Sequence, residues 1–205
     1  MRALTIATRN RKKLYELAKY LKGVKAKVRS LAAMDDAPKV IENGRTFKEN
    51  AIKKAVTISG FTGGLVLADD SGLVVDELGG KPGVRSSRFA GPRKDDRENN
   101  LKLLRELRDV PMKKRRARFI CAVAIADIGR PVKVIEENCK GRVAFSARGS
   151  HGFGYDPLFL VPKYKKTFGE LGPKIKDRMS HRAKALKKAR AFLRKYLKSD
   201  FRSVI

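Results

Sequence analysis

The chain has 205 residues, 42% of them hydrophobic and 34% charged, a composition that predicts one globular domain and excludes global disorder. Its 49 Lys and Arg against 21 Asp and Glu give a net charge of +28, which favours polyanionic partners: nucleic acid, phosphorylated small molecules or anionic membranes. No apolar run approaches the ~20 residues that span a bilayer, no secretion signal is recognisable at the start, and two cysteines argue against a disulfide framework. We therefore expect a cytoplasmic protein without membrane contact.

The first part of the chain predicts a strand, a helix and a second strand. Residues 3–7 are an apolar run short enough for a buried strand. Apolar residues then recur at helical spacing from Lys12 until Gly23, which is expected to stop the helix. The second strand is expected near residues 27–31.

A second helix and a third strand follow. Thr46 and Glu49 fit a capping box, with Thr46 as the N-cap and Glu49 reaching back, and Gly60 is expected to end this helix. Its inward face is predicted to carry Phe47, Ala51, Ala55 and Ile58. Residues 65–68 are a buried-strand candidate that leads directly into the acidic segment 69–72.

The second half of the chain predicts more strands than helices. Residues 78–83 form a loop dense in glycine and proline, and residues 96–107 a helix. The inward face of that helix is predicted to carry Leu101, Leu104 and Leu107. Residues 119–126 are apolar throughout, which places them at the sheet centre, and residues 127–131 form a hairpin turn. A long basic helix is expected over residues 177–197, so the whole pattern favours an α/β fold with a mixed sheet.

Polar residues lie between the first strand and the first helix. Thr8, Asn10 and Lys13 would combine hydroxyl, amide and ammonium groups with the backbone N–H groups of a helix start, which together can cradle phosphate. An ordinary Asn N-cap followed by a solvated basic face explains the same residues. The segment lacks the glycines of a Walker loop or of a dinucleotide fingerprint.

Two adjacent acids, Asp69 and Asp70, follow the third strand. The carboxyl end of a strand is where open α/β sheets place ligand sites, and carboxylates can hold Mg²⁺ or deprotonate water. An ordinary Asp-Ser-Gly turn is the alternative.

A glycine-rich loop and a His-Arg pair lie late in the chain. The loop spans residues 149–156 and carries Phe153 and Tyr155, each of which could stack on a base or simply fill a packing gap. Arg182, beside His181, offers a planar donor suited to a phosphate or a base carbonyl, although such a pair also occurs as a surface feature.

Taken together and in this order, the segments resemble the inosine/xanthosine triphosphate pyrophosphatase family. The resemblance is carried by residues 7–10 with Lys13 and Glu16, and by residues 46–51, 68–73, 78–84, 87–91, 152–157 and 180–186. It implies a single two-lobed domain over residues 1–205, with an elongated mixed β-sheet flanked by helices, a central active-site cleft and assembly as a homodimer. The implied reaction is Mg²⁺-dependent hydrolysis of ITP, dITP or XTP to the monophosphate and pyrophosphate, which clears these nucleotides from the pool.

The resemblance also implies a role for each matching residue. Asp70 is the expected general base, and Asp69, Asp70 and Glu42 are the expected metal ligands. The residues expected to bind substrate are Thr8, Asn10, Lys13, Ser71, Phe153, Gly154, Tyr155, Asp156, Lys176, His181 and Arg182. Within this set, Thr8, Asn10 and Lys13 bind phosphate, residues 153–156 recognise the base, and His181 with Arg182 reads the purine 6-oxo group.

The chain departs from the family pattern at two places. Arg9 stands where glycine is frequent, and Arg11 and Lys12 add charge to the same loop. Lys39 and Ile41 occupy positions that are commonly acidic, which leaves Glu42 as the acid of that stretch.

Two other functions compete with this one. The +28 charge and the basic late helix favour a nucleic-acid-binding protein on the same scaffold, or at least nonspecific nucleic-acid contact, because each neutralised phosphate adds to binding. Solubility in the host cytoplasm would also explain the charge. A pyrophosphatase for other modified nucleotides is the third reading.

Overall fold

The computed structural model describes residues 1–199, which form seven strands and five α-helices. The strands are β1 (Ala3–Ile6), β2 (Lys27–Ser30), β3 (Leu65–Val75), β4 (Arg116–Asp127), β5 (Arg130–Val143), β6 (Phe159–Val161) and β7 (Lys166–Thr167). The helices are α1 (Arg11–Leu21), α2 (Phe47–Thr62), α3 (Asp96–Glu106), α4 (Phe168–Met179) and α5 (His181–Ser199). Within this part of the chain no helix is long and apolar enough to cross a membrane.

All seven strands belong to one mixed sheet in the order β2-β1-β3-β4-β5-β6-β7. β1 pairs in parallel with both β2 and β3, so that Leu4 lies opposite Val28 and Leu65, whereas β6 is antiparallel to β5 and β7. Ile128 and Gly129, with φ of 45° and 73°, join β4 to β5 in the positive-φ turn that suits a two-residue hairpin. The α/β fold with a mixed sheet, the central position of β4 and the hairpin turn are confirmed.

The chain divides into two compact units. Unit 1 contains residues 1–70, residues 122–137 and the chain from Lys184 onward. Its core is formed by buried residues that include Leu4, Ile6, Leu17, Ala55, Ile58, Leu67, Val123, Ile125, Leu186 and Leu193. Unit 2 contains residues 71–121 and 138–183, and its core includes Leu73, Val75, Leu103, Leu107, Phe119, Tyr155, Phe159 and Phe168.

β3 is much longer than the sequence predicts and contains the whole segment 69–72. The acid pair therefore lies inside a strand, and the expectation that it follows the strand's carboxyl end is wrong, as is the alternative Asp-Ser-Gly turn. One cause is a contact with a later segment: the Leu73 N–H donates to Ser86 Oγ over 2.9 Å, and a Cβ on Gly72 would lie 2.2 Å from that oxygen. Glycine lets the 83–88 segment approach β3 and hold it extended.

The helices differ from the predictions at two ends and on one face. α2 passes Gly60 and ends before Gly63, which has the left-handed φ of 61° typical of a helix C-terminus. Leu101 is 44% exposed, because Leu103 rather than Leu101 faces the core with Leu107. The expected helix over 177–197 is interrupted at Ser180, whose extended backbone separates α4 from α5.

The capping box is only half formed where it was predicted. Thr46 accepts from the Glu49 N–H, but the Glu49 carboxylate accepts from the Arg45 N–H instead of the Thr46 N–H. The reciprocal arrangement occurs at α4, where Thr167 and Glu170 each accept from the other's backbone N–H. The hydrogen bond from the Thr167 backbone lowers the pKa of Glu170.

Candidate active site

The predicted phosphate loop lies between β1 and α1 in unit 1. Asn10 is the N-cap of α1, because its side-chain oxygen accepts from the Lys13 N–H over 3.1 Å. Thr8 is nearly buried, and its hydroxyl accepts from the Asn10 N–H over 3.2 Å. Arg9 donates to the Ala37 carbonyl over 3.0 Å. These side chains thus shape the turn. An Asn N-cap and a phosphate cradle are compatible here, because the same helix start can serve both.

Lys13 brings the phosphate loop to the acid pair. Its Nζ lies 3.2 Å from Asp69 Oδ2, and the Asp69 side chain is inaccessible to solvent. Lys13 itself stays partly exposed, with 17% of its side chain accessible. The buried Asp69 carboxylate therefore holds Lys13 in place while part of the Lys13 side chain stays accessible to solvent. Lys13 can thus also contact an incoming anion.

Asp70 is held by an amide from α2. Asn50 Nδ2 donates to Asp70 Oδ2 over 3.0 Å, and Asn50 Oδ1 accepts from the Gly44 N–H over 2.8 Å. Asn50 is buried to 1% exposure, so its rotamer is fixed by packing as well as by these bonds. A Cβ on Gly44 would lie 2.8 Å from Asn50 Oδ1, and glycine therefore allows this close approach. Asn50 joins the loop after Glu42 to the acid pair.

Lys54 lies one helical turn after Asn50 and reaches the same region. Its Nζ donates to the Asp69 carbonyl oxygen over 2.9 Å and forms a salt bridge with Glu42. Burial would lower the pKa of Lys54, but the carboxylates of Asp69, Glu42 and Asp70 together raise it above its ordinary value. Lys54 therefore remains a cation in this cluster.

The pKa of Asp70 lies above the ordinary aspartate value. Burial is the largest cause, and the nearby Glu42 charge raises the pKa further. Lys13, Lys54 and the hydrogen bond from Asn50 act in the opposite direction without cancelling the effect of burial. A carboxylate with a raised pKa is a stronger base, which suits the removal of a proton from water.

We expect Asn50→Leu to move the acid side of the pH–rate profile to higher pH. Protonated Asp70 cannot accept a proton, so activity falls as the pH drops through its pKa. Loss of the Asn50 donor removes a group that favours the charged form, and the pKa therefore rises further. The measurement is kcat against pH, and the control is Asn43→Leu, in the loop before α2, whose side-chain oxygen accepts from Lys53 instead of contacting Asp70. Identical profiles for Asn50→Leu and wild type would contradict this role.

In unit 2, Asp156 organises the glycine-rich loop. Its Oδ2 accepts from Lys176 Nζ over 2.6 Å and from the Phe153 N–H over 2.8 Å. Gly152 has a φ of 84°, and a Cβ there would lie 2.0 Å from the same carboxylate oxygen. Asp156, 2% exposed, and Lys176, 8% exposed, form a buried ion pair that fixes the loop.

Phe153 is half-buried, and two cationic side chains lie close to its ring. Lys176 Nζ lies 4.8 Å and the Arg182 guanidinium carbon 5.5 Å from the ring centre. The adjacent Gly154 is held from α3, since its N–H donates to Asp96 over 2.9 Å and its carbonyl accepts from Asn100 over 2.9 Å. This loop has the fixed backbone and flat apolar side chain that a base-binding surface needs.

Tyr155 lies in the core of unit 2. It is 4% exposed, and its hydroxyl donates to the Ser86 carbonyl over 2.9 Å. Burial raises the pKa of this phenol, so it stays protonated. Of the two aromatic residues in the loop, Tyr155 fills the core and Phe153 lies nearer the surface.

His181 and Arg182 occupy the first turn of α5, and both are nearly buried. Ser180 precedes this turn, and its hydroxyl accepts from the Ala183 N–H over 3.2 Å. Arg182 Nη2 donates to Ser71 Oγ over 2.6 Å, while the His181 ring stacks on Phe119 with centroids 4.7 Å apart. Arg182 therefore has a fixed position beside Ser71 and Phe153.

A family model described as the Ham1 family matches residues 4–192. The chain belongs to the Ham1 family. It is 52% identical to a dITP/XTP pyrophosphatase of Geobacillus kaustophilus over 188 residues, 92% of either chain, and 50% identical to one of Desulforamulus reducens over 190 residues, 93% of this chain and 94% of the other. A solved HAM1 protein from Coxiella burnetii superposes with a TM-score of 0.87 at 37% identity, covering 94% of this chain and 98% of the other.

Family membership confirms the resemblance inferred from the sequence.

The predicted site residues of this Ham1-family chain fall into two groups. Unit 1 holds Thr8, Asn10, Lys13, Glu42, Asp69 and Asp70, and unit 2 holds Ser71, residues 153–156, Lys176, His181 and Arg182. Sequence reasoning missed Asn50 and Lys54 as site residues. Their four-residue spacing on α2, which puts both on one helix face, was the available signal.

Proposed function

We propose that this chain hydrolyses the non-canonical purine nucleoside triphosphates ITP, dITP and XTP to the monophosphate and pyrophosphate. The observation that carries the proposal is Asp70, a buried carboxylate of raised pKa held by Asn50 among the cations Lys13 and Lys54. The curated relatives named dITP/XTP pyrophosphatase supply the substrate class.

In the proposed reaction Asp70 removes a proton from water. The water oxygen bonds to the α phosphorus, the bond from that phosphorus to the bridging oxygen breaks, and pyrophosphate leaves with the bond's electrons. Asp70 is buried and fixed by Asn50, so its basic oxygen needs little reorganisation before the proton transfers.

Lys13 and Lys54 are the proposed partners of the phosphates. Both are cations near the acid pair. The free backbone N–H groups at the start of a helix such as α1 also attract an anion. Positive groups that are already in position when the reaction begins stabilise the negative charge that develops on the leaving pyrophosphate.

We propose Mg²⁺ as the cofactor, held by Asp69 or Asp70 with Glu42 as a further ligand. Among residues 1–199 no group of three or more His, Cys, Asp or Glu side chains could enclose a metal. Mg²⁺ commonly takes one or two carboxylates and fills its remaining positions with water and substrate phosphates, so these donors fit it. When bound, it would neutralise phosphate charge. It would also favour the ionised form of Asp70, whose pKa burial and Glu42 raise.

The base is proposed to meet Phe153, Arg182 and their neighbours in unit 2. Phe153 offers a face for stacking, and Arg182, oriented by Ser71, offers a donor for the 6-oxo group that hypoxanthine and xanthine carry. Adenine has a 6-amino group there, which would leave donors facing each other.

A substrate panel tests the function. The purified chain is incubated with Mg²⁺ and ITP, dITP, XTP, GTP or ATP, and pyrophosphate is assayed separately from orthophosphate. We expect pyrophosphate from ITP, dITP and XTP, little turnover of ATP, and loss of activity with a chelator. Orthophosphate as the sole product, or equal rates on every purine, would overturn the proposal.

Lys13→Ala should raise the KM for ITP by about tenfold to a hundredfold, because a hydrogen bond from a charged donor contributes about 1.5–3 kcal/mol. The preference for ITP over ATP should change little, since Lys13 lies at the acid pair in unit 1. Steady-state kinetics on both substrates measure the two effects. Lys12→Ala, the exposed neighbour on α1, is the control. A normal KM with relaxed base preference would mean that Lys13 does not bind phosphate.

A further inference from the structure

From Lys184 onward, α5 has two distinct faces. Ala185, Leu186, Ala189, Leu193 and Leu197 are buried in unit 1. At about 100° per residue, the exposed cations fall within an arc of about 120° on the other side. They are Lys184, Lys187, Lys188, Arg194, Lys195 and Lys198, and we call them the basic stripe.

The basic stripe has a single sign of charge. α5 contains eight Lys or Arg residues and no Asp or Glu. Like charges three or four positions apart, such as Lys184 with Lys188 and Arg194 with Lys198, destabilise a helix. A surface that served solubility alone would intersperse both signs. Glu137 on β5 forms a salt bridge with Lys188.

The positive surface continues beyond α5 within unit 1. Arg194 Nε donates to the Gly23 carbonyl over 3.3 Å, which places one end of the segment 22–29 beside the helix. That segment carries no acid and has Lys22, Lys25, Lys27 and Arg29 exposed. The cations of β2 have a second explanation, because charges on an edge strand oppose pairing with other chains. The helix has no such edge to protect.

We propose that the basic stripe binds the phosphate backbone of nucleic acid without reading the bases. Lys184 to Lys198 span 14 steps of 1.5 Å, about 21 Å, and therefore face about six base-pair steps of a duplex. The stripe is distinct from Lys13 and Lys54, the cations assigned to the substrate phosphates. Ala191 is the one apolar residue of α5 within the arc that these cations occupy, so bound DNA would meet cations along the whole length of the stripe.

An anionic membrane fits this surface less well. A helix that binds a membrane surface needs exposed large apolar side chains to enter the lipid, in addition to its cations. On α5 the large aliphatic residues Leu186, Leu193 and Leu197 are buried in the protein, and Phe192 is half-buried with its ring stacked on Tyr196. The exposed positions of α5 are occupied by cations and small residues. Such a surface suits nucleic acid, which offers phosphates but no apolar layer to enter.

The test is the salt dependence of binding to a fluorescein-labelled duplex of about 20 base pairs, longer than the stripe's reach of about six steps. The full chain is compared with the triple variant Lys187→Gln, Lys195→Gln and Lys198→Gln. For B-DNA the slope of log affinity against log salt falls by about 0.9 for each phosphate that the protein no longer neutralises. We expect weaker binding and a slope smaller by about 2–3 units, because the variant leaves three phosphates without a lysine.

The matched control neutralises three exposed lysines of unit 2, Lys113, Lys140 and Lys163, and lowers the net charge equally. We expect its slope to change by less than about one unit. Unchanged pyrophosphate release from ITP in both variants would verify that they are folded. The salt dependence of DNA binding can be measured whether or not the chain hydrolyses ITP, so this proposal and the proposed function can fail separately. An equal decrease in the control, an unchanged slope in the stripe variant, or binding to anionic phospholipid vesicles but not to the duplex would overturn it.

Discussion

Asp70→Asn should lower kcat for ITP by a factor of about 10² to 10⁴, the usual contribution of a general base. The amide has nearly the shape of the carboxylate, and it can still accept the hydrogen bond from Asn50 Nδ2 through its own oxygen. The fold around β3 is therefore retained. What disappears is the basic oxygen that removes a proton from water.

Binding and turnover should separate in this variant. The dissociation constant of ITP, measured by calorimetry, should change little because Lys13 and Lys54 remain for the phosphates and Asp69 and Glu42 remain as carboxylates for Mg²⁺. The control is Asp76→Asn, just after β3, where an exposed carboxylate lies 3.7 Å from Arg118. Exposed pairs contribute little, so its activity should match wild type. If Asp70→Asn kept more than about half of the wild-type rate, Asp70 would not be the base.

Local signals predicted the elements whose ends depend on nearby residues. Asn10 caps α1 as expected, because an N-cap depends on a side chain and a backbone N–H only three residues apart. The prediction that Gly60 stops α2 is wrong, because Gly63 and Gly64 follow it within four residues and offer alternative helix ends. A Cβ on Gly60 would lie 3.9 Å from Gly129 Cα, so this glycine packs near the β4–β5 turn, and Gly63 ends the helix instead.

Long-range contacts explain what the sequence could not reveal. The Asp-Ser-Gly segment has a turn-forming composition, but sheet pairing and the hydroxyl of Ser86, 13 residues from Leu73, keep it extended. Asn50 meets Asp70 across 20 residues of sequence. The residue pattern predicted the acids and the His-Arg pair as candidates, and the family resemblance implied their roles. The contacts of Asn50 depend instead on how α2 lies against β3.

The preference for ITP over ATP should contract by about tenfold to a hundredfold in Arg182→Ala. A hydrogen bond from a charged donor contributes about 1.5–3 kcal/mol, and ATP has no 6-oxo group to receive it. Arg182 is 3% exposed, with its guanidinium bonded to Ser71 Oγ over 2.6 Å and 5.5 Å from the centre of Phe153. The measurement is kcat/KM for both nucleotides, with Arg178→Ala, an exposed arginine one turn before α5, as the control.

The competing role for Arg182 is to hold the triphosphate, since the first turn of a helix also favours an anion. In that case ITP and ATP would lose activity in equal proportion and the ratio would stay constant. Arg182→Lys separates the roles further: lysine keeps the charge that a phosphate needs but lacks the planar fork that fits between Ser71 and a base carbonyl. We expect Arg182→Lys to remain poorly selective, and Ser71→Ala to contract the preference less than Arg182→Ala, because Ser71 only orients the donor. Restored selectivity in Arg182→Lys would assign Arg182 to the phosphates.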